Sequence, residues 1–145
     1  MFLATIGNDE TRKSICNNLV AFMAVDGKID THEKEQIKAV FSEAGLSINA
    51  LGLDLLSSIN KEELKENLKE ILEELETNKQ RQFLFEIISC AVCNEDYHTT
   101  QSEIIDFVAE EINMGESEKL ELKDIATTLL VVQKRTENVL FGKRI

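Results

Sequence analysis

The chain has 145 residues, 43% of them hydrophobic, and a formal net charge of −11; it is long enough for one domain with a continuous core. The acidity argues against a nucleic-acid partner, because affinity for phosphate backbones comes from basic side chains that release counterions. Three cysteines are an odd number for a disulfide framework, nothing resembles a secretory leader, and the apolar start MFLATIG is too short to span a bilayer. The expectation is a cytoplasmic protein with no direct membrane insertion.

With no proline anywhere and no alternating apolar run beside a hairpin turn, the chain reads as all-α, a single-domain bundle of about seven helices. A first helix is predicted from about Asp9 to Val25, with Ile15, Leu19, Phe22 and Met23 at helical spacing. A second starts at Asp30 as N-cap, where Glu33 three residues on completes a capping box, and stops at Gly45, a residue suited to left-handed backbone. Leu46 leads into a short helix after Ser47.

Asn60 with Glu63 repeats the start signal. Leu64, Leu68, Ile71, Leu72 and Leu75 then lay one apolar stripe along KEELKENLKEILEELE, so this helix should cover a core with one face. The segment from about Asn78 to Cys93 is apolar on several sides (Phe83, Leu84, Ile87, Ile88, Ala91, Val92) and is predicted to be central. Thr100 with Glu103 is expected to cap a helix ending near Asn113. A last long helix begins between Gly115 and Ser117 and bears Leu120, Ile125, Leu129 and Leu130. Lys143 and Arg144 suit the negative end of its dipole.

Two hairpins look like copies offset by 68 residues. At that offset Ile15, Leu19, Val20, Ile37, Val40 and Leu46 fall on Phe83, Ile87, Ile88, Ile105, Val108 and Met114, and Glu35 falls on Glu103. Matching apolar faces of this kind can pack about a pseudo-twofold axis. The predicted division is repeat one over 9–46, linking helices over 47–77, repeat two over 78–115 and a C-terminal helix over 116–142.

The stretch FMAVDGKIDTHEKEQIKAVFSEAGLS, Phe22 to Ser47, resembles the helix-loop-helix signature of the TerB (tellurite resistance protein B) family, with an A-x-D-G turn, an acidic helix and a G-L-S stop. The specific residues are Asp26, Gly27, Glu33 and Gly45. In the second copy, CNEDYHTT, Asn94 and Glu95 stand where the turn would have Asp and Gly. The resemblance implies a duplicated helical bundle from a bacterial cytoplasm, associated with tellurite and other stress responses. In that family the proposed roles are divalent metal binding or acting as a soluble partner in membrane-associated complexes, not catalysis.

The corner AVDGKIDTHEKEQI itself has two readings. As an EF-hand with Gly27 at its sixth position, the ligand positions 1, 3, 5 and 12 would be Phe22, Ala24, Asp26 and Glu33, and two apolar side chains replace required oxygens. A looser site for a divalent cation, from Asp26, Asp30 and Glu33 with water, is the candidate metal site. The alternative is a structural corner, in which Gly27 ends one helix and Asp30 and Glu33 start the next. Asp26 fits the second reading poorly, because an acid at a helix C-terminus faces the negative end of the dipole.

A second ligand set is Cys90, Cys93, Asp96 and His98 in CAVCNEDYH, suited to zinc by donor type. It lacks a second ligand pair, and at the repeat offset Cys90 and Cys93 replace Phe22 and Val25, which reads as core packing. The chain has no Gly-rich phosphate loop, HExxH pair or G-x-S-x-G elbow, and no enzyme is expected. The acidic helix over 61–76 is either a docking face for a basic partner or a solvated surface. Two functions follow: a TerB-like stress protein with a divalent ion at the corner, or an acidic protein–protein interaction module with no ligand of its own, either of which could form a homodimer.

Overall fold

The computed structural model describes residues 5–25, 38–39, 42, 45, 60–92 and 99–142. Five helices lie among them: α1 Asp9–Met23, α2 Lys61–Glu74, α3 Thr77–Val92, α4 Thr99–Glu111 and α5 Glu116–Phe141. The described residues contain no strand, so the all-α expectation holds.

Helix α1 starts where the sequence places it, and its cap is Asn8, whose Oδ1 accepts from the Thr11 amide at 2.9 Å and from Thr11 Oγ1 at 3.0 Å. Gly7 is required just before it. Its φ is +63°, and a Cβ there would lie 2.8 Å from Thr11 Cβ and Cγ2. From Ile15 onward the helix is buried on most of its circumference, through Leu19, Val20, Phe22 and Met23.

Helix α2 carries its cap and its stripe as predicted. Asn60 Oδ1 accepts from the Glu63 amide at 2.9 Å, and Asn60 Nδ2 reaches Glu63 Oε1 at 3.3 Å. Leu64, Leu68, Ile71, Leu72 and Leu75 all enter the core, while the charged side chains between them stay outside. Gln80, on the following helix, donates from Nε2 to the Leu72 carbonyl at 2.8 Å, which also accepts from the Leu75 amide at 3.1 Å, so a side chain and the C-cap share this acceptor at the end of α2.

Helix α3 is the central one. It packs against α1, α4 and α5, and buries Phe83, Leu84, Ile87, Ile88, Cys90 and Ala91 on more than one side. Helix α2 packs against α1 and α4. Ile105, Val108 and Met114 are buried from the α4 side.

The start of α4 differs from expectation. It begins at Thr99, so Thr100 sits inside the first turn, and Glu103 does not close a capping box but accepts from Lys61 Nζ at 2.8 Å, tying α4 to the start of α2. A long-range cation competes successfully for this carboxylate. The other end lies near the expected position: Asn113 takes φ +57°, and the Met114 amide bonds back to the Ala109 carbonyl at 2.9 Å. Asparagine tolerates that backbone, and Met114 tucks under the helix end.

Helix α5 has 26 residues, about 39 Å at 1.5 Å per residue. Only Ala126 on it is fully buried. It ends at Gly142, whose φ of +65° provides the left-handed stop.

The predicted start of the second helix at Asp30, the short helix after Ser47, and Lys143 and Arg144 lie outside the described residues. Of that region Lys38, Ala39 and Ser42 are helical, and Gly45 takes φ +75° with its amide on the Ser42 carbonyl at 3.1 Å.

Candidate functional site

The residues proposed from sequence as cation ligands, Asp26, Asp30 and Glu33, lie outside the described residues, as do Cys93, Asp96 and His98 of the second set. Cys90 is described, and it is buried in the core on α3. Among the described residues no group of three or more His, Cys, Asp or Glu side chains converges to hold a metal ion.

Two other features stand out. The first is a cleft of about 170 Å³ where α5 begins, walled by Ile88 and Val92 of α3, Ile105 and Asp106 of α4, and Lys119 and Leu120 of α5. Lys119 dominates its chemistry. The side chain is only 14% exposed; its Nζ donates to Asp106 Oδ1 and to Glu116 Oε2, the latter at 2.8 Å. The bonds to Asp106 and then Glu116 outweigh desolvation and raise the Lys119 pKa above its ordinary value. An amine acting as base or nucleophile needs the opposite shift. This lysine is therefore a clamp between α4 and α5, and a second ion pair, Arg81 Nη1 to Glu118 Oε2 at 2.5 Å, ties α5 to α3.

The second feature is the rest of α5. No residue from 127 to 142 is buried. Ile125 is 43% exposed, Leu129 39%, Val132 51%, Val139 85%, Leu140 66% and Phe141 68%. Leu122, Ile125, Leu129, Val132, Thr136 and Val139 recur at alternating spacings of three and four, which confines them to an arc of about 100° on a helix of 3.6 residues per turn. Leu122, at the edge of that arc, rests against the core. The stripe thus leaves the bundle beside the seam that anchors it and continues uncovered to the helix end.

The residue types of this stripe were legible in the sequence, but their exposure was not. Helical spacing says which side chains share a face and is silent about what covers that face.

No helix among the described residues is long and apolar enough to cross a membrane. Comparison with protein families, with curated proteins and with solved structures finds no match to this chain.

Proposed function

We propose that this chain is a non-catalytic, acidic helical module that works by binding another protein through the uncovered apolar stripe of α5. The observation that carries the reading is the run of Ile125, Leu129, Val132 and Val139 left in solvent on one face of a helix. A contiguous apolar surface of this kind on a folded domain marks an interaction site. An amphipathic helix presenting such anchors is a standard way of engaging a partner. The cleft beside Lys119 supports the non-catalytic part, since its amine is held charged between two carboxylates.

The test is affinity co-purification from source cells with the tagged chain and with a Val132→Glu plus Val139→Glu variant. The expected result is a specific companion protein retained by the wild type and lost by the variant, with unchanged helix content by circular dichroism. Identical companions for both would contradict the reading.

The second reading is the TerB-like stress-response protein with a divalent cation at Asp26, Asp30 and Glu33, within a bundle of about seven helices built from a duplicated hairpin. Two observations favour it. Gly45 has the left-handed backbone that the G-L-S stop calls for. Moreover, Ile15, Leu19 and Val20 and their counterparts Phe83, Ile87 and Ile88 are all buried, as equivalent faces of two copies would be. Calorimetric titration with calcium, magnesium, manganese and zinc tests it; heat of binding that disappears in Asp26→Asn plus Asp30→Asn supports it, and no heat with any of the four ions contradicts it.

A further inference from the structure

We infer that the cleft at the start of α5 is a binding site for a small uncharged aromatic ring carrying one hydrogen-bonding group. The site is separate from the uncovered stripe further along α5, and the inference goes beyond the interaction-module reading.

The apolar part of the cleft comes from three helices. Ile88, Ala91 and Val92 lie at spacings of three and four on α3 and so share a face, and Ile105 of α4 joins them. Leu120 of α5 completes this lining and is nevertheless 54% exposed. Close-packed proteins leave few voids larger than a water molecule. The cleft measures about 170 Å³, comparable with an apolar cavity of about 150 Å³ that takes benzene. Water is a poor occupant of its aliphatic part, because a held water needs two to four polar partners.

The polar part of the lining narrows the chemistry. Lys119 Nζ occupies both neighbouring carboxylates, Asp106 and Glu116, and Lys123 is engaged as well. Two acids and two bases leave the rim without net charge, so nothing there draws in an ion. Ser102 is different. It lines the cleft, is half-buried, and its hydroxyl pairs with no group among the described residues. A hydroxyl both donates and accepts, so it matches one N–H or O–H on a ring that lies against the aliphatic residues. An apolar lining with a single placed polar group is how small-molecule sites combine affinity with orientation.

The test is a titration of the full chain with indole and with benzene, followed by methyl carbon–proton correlation spectra. Saturable shifts are expected at Ile88, Ala91, Val92, Ile105 and Leu120, with Leu68 in the distant part of the core unmoved. Ser102→Ala should weaken indole about three- to tenfold, the worth of one hydrogen bond, and leave benzene unchanged. Leu120→Ala should weaken both probes. Ser102 is half-buried without a partner and Leu120 is exposed, so neither change threatens the fold. The inference is overturned if neither probe gives saturable shifts at the cleft. It is equally overturned if Leu129, Val132 and Val139 respond with the same midpoint, which is unspecific adsorption to exposed apolar surface. A Ser102→Ala variant that loses benzene as much as indole, or a Leu120→Ala variant that binds both as before, also overturns it.

Discussion

Gln101, near the start of α4, donates from Nε2 to the Phe22 carbonyl at the end of α1, 3.4 Å away, in a site where Gln101 is only 1% exposed. This bond links α1 to α4 across a long stretch of intervening chain. It is imperfectly compensated: Oε1 of the same side chain meets no donor among the described residues, and the Phe22 carbonyl also accepts from the Val25 amide at 3.4 Å.

A buried acceptor left unsatisfied costs about 1–3 kcal/mol, roughly what a weak hydrogen bond and its packing return. Gln101→Met keeps the volume and removes the orphan oxygen, while Phe22 keeps a donor. The expected change in unfolding free energy is under about 1 kcal/mol in either direction. Gln101→Ala adds a cavity and should cost about 1–3 kcal/mol. Urea unfolding followed by circular dichroism measures both, and equal losses for the two variants would show that the hydrogen bond, not the packed volume, is what matters.

Gly7 and Gly142 both have positive φ, but only Gly7 has a neighbour in the way, with Thr11 carbons 2.8 Å from where a Cβ would sit. Gly142→Ala should cost about 1–2 kcal/mol, the strain of left-handed backbone at a helix end. Gly7→Ala must also displace Thr11, whose amide and hydroxyl both bond to Asn8, and should cost about 2–3 kcal/mol. Thermal melts of the two variants side by side decide it; equal losses would contradict the packing argument.

The ion pairs predict the pH profile. Hydrogen bonds from Lys61 and Arg81 hold the Glu103 and Glu118 carboxyls below the ordinary value of 4.5. A lowered folded pKa gives stability that is present above 4.5 and lost as pH falls through the folded values. Lys119 is raised above 10.5 by Asp106 and Glu116, so its contribution is intact below 10.5 and is lost as pH rises through the folded value. The melting temperature should be level across neutral pH and fall at both extremes. Glu103→Gln plus Glu118→Gln should melt slightly lower than wild type at pH 7 and converge with it below pH 4.5, the difference being small because both pairs are exposed. A gap that widens in acid would contradict the assignment.

Substitutions in α2 and α5 should separate core from stripe. Leu68→Ala empties a fully buried site and should cost about 2–5 kcal/mol. Val139→Ala, at 85% exposure, should change the stability of the monomer by less than about 0.5 kcal/mol. Denaturant titrations at low protein concentration make the comparison, and a large loss for Val139→Ala would show that this part of α5 is covered by its own chain.

Much of the fold was legible because its signals are local. The Asn60–Glu63 start and the leucine stripe of α2 need only helix geometry, as does the end of α4 near Asn113. The false start at Thr100 shows where locality ends: Glu103 had the right spacing for a capping box, yet Lys61, which is remote in sequence, holds its carboxylate. Lys119 was equally hidden, since its partner Asp106 belongs to another helix. The acidic corner around Asp26 was conspicuous in sequence and lies outside the described residues, whereas the α5 stripe drew no functional reading because periodicity carries no information about tertiary cover.

The central claim, that α5 keeps an apolar face free for another chain, is tested most directly by amide hydrogen exchange of residues 127–141 as a function of protein concentration. Sparse burial predicts fast exchange there in dilute protein, while α3 exchanges slowly throughout. Protection of this segment equal to that of α3 at every dilution would contradict the account.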